Sequence, residues 1–85
     1  MKIIEIEVPN KLHENTLELL QRFAETMAEK LHRAELKYGY SDDWKSEHWE
    51  QVCRDELNRH MEKGDPIDVA LYCAFMYHHG WATSK

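Results

Sequence analysis

Four residues, Lys63-Gly64-Asp65-Pro66, constrain the fold of this chain more than any others. Glycine readily takes the left-handed conformation that closes a helix. Aspartate is a good N-cap, and proline lacks the N–H that would go unpaired in a first helical turn. Together they end one helix and begin the next with almost no chain between. The upstream run carries Glu56 and His60 four apart, hence on one face. The downstream run places Asp68 in its first turn. Two acid-bearing helices are folded back on each other, which suits a hard divalent cation or simply the wet, charged end of a helical hairpin.

The chain has 85 residues, room for one domain. A single core of this size supplies only about 3–5 kcal/mol, so completion by homo-oligomerisation is expected. Net charge is −5, from 16 acidic and 11 basic residues spread along the length. A basic face for phosphate contacts is missing, which argues against direct nucleic-acid binding. Cys53 and Cys73 stand twenty residues apart among apolar neighbours and form no CxxC pair, so free thiols in a reducing compartment are expected. The opening IIEIEV lacks the continuous apolar run of a signal peptide. The longest apolar run, Val69 to Tyr77, is about half of a membrane span. A soluble, cytoplasmic protein follows, in a bacterial host if the gene is carried by a phage.

Residues 1–9 alternate, with Ile4, Ile6 and Val8 on one side and Glu5 and Glu7 between, and predict a short strand that pairs with its copy or docks loosely. Over 14–38, Leu17, Leu20, Ala24, Met27, Leu31 and Ala34 recur at steps of three and four and form one helical stripe, widened by Leu19 and Phe23. Glu18, Arg22, Glu25, Glu29 and Lys30 are placed elsewhere on the helix surface, and Gly39 caps its end. A second helix is predicted over 47–62, capped by Asp43 or Ser46, with Trp49, Val52, Cys53, Leu57 and Met61 inward. The third, over 65–79, is apolar almost all round and belongs at the centre or at a subunit interface. The expected fold is mainly α, a three-helix bundle preceded by a short extended segment.

At KLHRAELKYGY, at the region around Trp44, and above all at HMEKGDPIDVALYCAFMYHHGW, the chain from Ala28 to Trp81 resembles a group of small phage and prophage proteins of unassigned role. More distantly, a helix with paired acids, a short loop and an E-x-x-D-like start resembles the MazG-type all-α nucleoside triphosphate pyrophosphohydrolases. That resemblance implies a Mg²⁺-dependent hydrolase with Glu56 and Asp68 catalytic, and Glu56, Asp65 and Asp68 as metal ligands. Arg59 and Lys63 would neutralise phosphate, while Trp44 and Tyr40 would contact the base. Asp65 stands where the family places a glutamate, and Arg59-His60 where the last acid of its E-E-x-x-E element falls.

Each of these residues also has a plainer role. Asp65 is a natural N-cap, Asp68 favours its helix dipole, and Glu56 can be a solvated face residue. Arg59 has Asp55 four residues back as a default ion partner. His60 beside Met61 reads as an amphipathic rim residue, and Trp44, Trp49, Tyr38 and Tyr40 as core edge. His32, His48, His78 and His79 with the two cysteines show no zinc spacing. The alternative function is a non-catalytic phage or prophage accessory protein that binds a host or phage protein through its acidic surface and exposed aromatics.

Overall fold

The computed structural model describes residues 1–39 and 42–84. Within them lie three α-helices, α1 (Glu14–Tyr38), α2 (Glu50–Lys63) and α3 (Pro66–His79), with a 3₁₀ turn at Asp43–Lys45. The cap chemistry explains most boundaries. His13 Nδ1 accepts from the Asn15 N–H at 3.0 Å and opens α1, and Gly39 closes it in the left-handed conformation. Gly64 closes α2 at φ 79°, bonded back to the His60 and Met61 carbonyls. One residue later, Asp65 accepts from the Ile67 N–H at 3.0 Å and Pro66 opens α3.

The second helix starts three residues later than the predicted Glu47. Asp43 sits in the 3₁₀ turn, and Ser46 Oγ accepts from the His48 N–H at 3.3 Å, so neither caps the helix. Trp49 stands at the N-cap position without a side-chain cap bond. Its indole N–H donates instead to the Trp44 carbonyl, 3.1 Å away.

Helix α3 packs against α2 on one side and α1 on the other, while α1 and α2 do not pack on each other. The central placement expected of the most apolar helix is therefore observed. Its core partners are Cys53 and Leu57 from α2 with Met76 from α3, ringed by half-buried Trp49, Val69, Tyr72, Phe75 and Trp81. Val52 and Met61, expected inward, are exposed. Helical residues advance about 100° each, and the buried line runs Trp49, Cys53, Leu57, His60, which turns Val52 and Met61 out of it.

An aromatic cluster seals the base of the hairpin. The Trp44 ring stacks on Phe75 at 5.9 Å, and His79 stacks on Trp81 at 4.0 Å with 10° between planes. Arg54 is buried, bonds Glu50 at 2.7 Å and Gln51 at 2.9 Å, and donates to the Ala82 carbonyl at 3.2 Å. It thereby ties the tail after α3 to α2, and its carboxylate partner supplies the compensation a buried charge requires.

Helix α1 differs from the other two in that none of its residues is buried. Its C-terminal half leans on α3 through half-buried Met27, Lys30, Leu31 and Ala34, but Leu17, Leu19 and Leu20 remain substantially exposed. Residues 1–9 form neither helix nor strand, so the predicted strand is not formed. A strand satisfies its backbone only against a neighbour, and the described part of the chain offers none.

Candidate functional site

Because α1 and α2 both lean on α3 and miss each other, a groove of about 1070 Å³ opens between them. Helix α3 is its floor, with Leu71, Tyr72 and Phe75, and the 3₁₀ turn closes one end with Asp43 and Trp44. Helix α1 contributes Lys30, Arg33 and Lys37, and α2 contributes Glu56, Arg59, His60 and Lys63.

The hairpin corner brings the acids of α2 and α3 into one network. His60 is the link: its Nδ1 is 3.3 Å from Asp68 Oδ2 and its Nε2 is 3.7 Å from Glu56 Oε2. The imidazole is buried and stacked on Tyr72 at 5.2 Å, so it is no rim residue. The Nδ1–Asp68 approach is an ion-pair distance without hydrogen-bond alignment, which leaves Nδ1 without a hydrogen-bond partner among the described residues.

Each carboxylate is engaged by a cation of the same chain. Lys30 reaches across from α1 and bridges Asp65 Oδ2 at 3.5 Å and Asp68 Oδ1 at 3.3 Å. Its ammonium pKa is raised above the ordinary lysine value, first by the hydrogen bond and charge of Asp68. Asp65 is held below the usual carboxylate range, first by the Ile67 N–H it accepts and further by Lys30. Glu56 is lowered by Arg59, which grips it at 2.6 Å and 3.1 Å. The ion pair expected between Arg59 and Asp55 is absent; Asp55 accepts from Gln51 at 2.9 Å instead.

Mg²⁺ needs several open oxygen ligands in near-octahedral array. Asp65 Oδ1 is spent on the helix cap and its Oδ2 on Lys30. Both oxygens of Asp68 face a nitrogen, and both oxygens of Glu56 face Arg59. No three His, Cys, Asp or Glu side chains among the described residues are grouped to hold a metal ion. As arranged, the donors do not fit the cation.

The remaining predicted residues divide. Arg59, Lys63 and Trp44 line the groove with Glu56 and Asp68, whereas Asp65 does not. Trp44 is also committed to packing, with its carbonyl within 2.6 Å of His79 Nε2 and its ring against Phe75 and His78. Tyr40 lies outside the described residues. Lys30, assigned to the helix surface from sequence, is the residue that sequence reasoning missed. The signal was present: it lies three residues after Met27 and four before Ala34, on the face those two turn toward α3. The cysteines are free, as expected, and burial pushes the Cys53 thiol up to about 11.

Comparisons of the chain with protein-family models, with curated proteins and with solved structures return no match. Among the described residues, no helix is long and apolar enough to cross a membrane.

Proposed function

We propose that this chain is a non-catalytic accessory protein that acts by binding a segment of another protein, of host or phage origin, in the groove between α1 and α2. One observation carries this reading. The acids that a hydrolase would use are neutralised within the chain, by Lys30 on one side and Arg59 on the other. What the groove still offers is an aromatic floor, Tyr72 and Phe75, under a basic rim, Arg33, Lys37 and Lys63. Such a groove suits an amphipathic segment with apolar anchors and acidic flanks. The chain as a whole is acidic at −5, yet the groove holds five cations (Lys30, Arg33, Lys37, Arg59, Lys63) against four carboxylates (Glu35, Asp43, Glu56, Asp68).

The test is affinity capture of a single stoichiometric partner, followed by titration of the partner's binding segment. Reversing the rim with Arg33→Glu plus Lys37→Glu should weaken that binding at least about tenfold, through lost charge complementarity. Undiminished binding to the reversed rim would remove the groove from the interaction.

A second reading keeps the Mg²⁺-dependent nucleoside triphosphate pyrophosphohydrolase that the family resemblance implies. Its support is that Glu56 and Asp68 both reach the His60 ring, one at each nitrogen, on a wall shared with Arg59 and Lys63. It requires the Lys30 and Arg59 pairs to open. Pyrophosphate release from a nucleotide panel that needs Mg²⁺ and vanishes in Asp68→Ala would establish it, and silence across the panel would discard it.

A further inference from the structure

The N-terminal half of α1 and residues 3–8 form an apolar surface that the chain itself leaves uncovered. Ile3, Ile4 and Ile6 are 91%, 84% and 64% exposed, and Leu17, Leu19 and Leu20 are 37%, 55% and 42% exposed. All but Leu19, which lies on another face of the helix, are contiguous: the isoleucines with Leu17, Leu20 and Ala24 flank a second groove of about 540 Å³. It is separate from the α2–α3 hairpin corner. None of the backbone groups of residues 1–8 is bonded to another backbone group among the described residues.

The exposed area is sufficient for a second copy. The chain exposes 7360 Å². A folded monomer of its mass exposes about 5300 Å² by the general scaling of surface with mass, an excess of roughly 2000 Å². The Cα radius of gyration is 14.4 Å, against about 12 Å for a compact chain of this length. A stable interface of standard size removes about 800 Å² from each partner, which lies within this excess.

We infer that this surface is covered by a second copy of the same chain, forming a two-fold dimer. A two-fold interface sets one patch against itself, and so needs both charge signs around an apolar centre. Lys2 and Glu25 line this one, a charge of each sign beside the apolar residues. Residues 3–8 of the two copies then supply each other with the pairing partner that their alternating pattern requires. The dimer is independent of the groove between α1 and α2 and of what that groove binds.

Light scattering coupled to size exclusion, on the full chain at about 10–100 μM, is the experiment. The expected mass is twice the 10.2 kDa of one chain. Leu20→Glu should raise the dissociation constant at least about 100-fold, because its carboxylate would be desolvated among the apolar side chains of the interface. Ile4→Glu should do the same, and it lies outside every helix, so it tests the interface without burdening the fold. Leu36→Glu, exposed and outside the patch, should leave the mass unchanged. A wild-type chain that stays at single mass overturns the proposal, as does a dimer indifferent to both Leu20→Glu and Ile4→Glu.

Discussion

Lys30 joins α1 to the hairpin corner through the two acids of the α3 start. Asp65 also gives an oxygen to the capping bond from Ile67, whereas Asp68 caps nothing, so the bridge to Asp68 is the separable part. Lys30 and Asp68 are partly exposed, which keeps the expected coupling near that of a surface pair. A double-mutant cycle with Lys30→Met and Asp68→Asn should return about 0.5–1 kcal/mol, read from urea midpoints. A coupling indistinguishable from zero would mean that the Lys30–Asp68 bridge adds nothing to the docking of α1. Cys53 tests burial directly. Its thiol is fully buried and held neutral, while Cys73 is half-buried. A thiolate-selective alkylating agent should label Cys73 first in the native protein and reach Cys53 only on unfolding. Peptide-resolved mass spectrometry reads the order, and early labelling of Cys53 would contradict the packing.

At the scale of elements, the α2–α3 hairpin is fixed by its corner. Gly64 sits at φ 79°, and a Cβ built there meets nothing within 4 Å. The cost of Gly64→Ala is therefore backbone strain alone, about 1–2 kcal/mol. Chemical denaturation should show that loss with an unchanged m-value. The corner was legible because Gly64, Asp65 and Pro66 act through their own covalent geometry. The start of α2 was not, because Ser46 has a local bond to His48 and leaves the N-cap to Trp49. The strand expected over 1–9 depends on a partner, and alternation in one segment says nothing about whether a partner is within reach. His60 was misplaced for a related reason. Its exposure depends on Tyr72 of the following helix, which covers it.

For the whole molecule, the ionisable groups define a window of stability. Asp65 and Glu56 titrate below their ordinary values in the fold. Their contributions are complete above the unfolded values of about 3.9 and 4.3 and disappear as pH falls through the lower folded ones. On the alkaline side Cys53 acts first, because its folded value of about 11 lies above the unfolded one. Stabilisation by its neutral burial is complete below about pH 8.5 and is lost from there upward, at no more than about 1.4 kcal/mol per pH unit. Lys30, raised by Asp68, adds a further loss above about pH 10.4. Urea midpoints should thus hold level across roughly pH 5–8 and fall on both sides. If Cys53→Ala declines above pH 8.5 as steeply as the parent, the thiol is not the cause.

Sequence by itself determined the helices α1 and α3, the sharp corner between α2 and α3, the central place of the most apolar helix and the free thiols. These follow from short-range rules of capping, φ preference and hydrophobic spacing that act within a few residues. Tertiary structure alone decided which cation meets which acid. Lys30 reaches Asp65 and Asp68 from 35 and 38 positions away, and Arg59 takes Glu56 rather than Asp55. Charges act through space, and the spacing that brings Lys30 to the corner is set by how α1 leans on α3. That lean, leaving α2 untouched, also opens the groove and exposes half of α1.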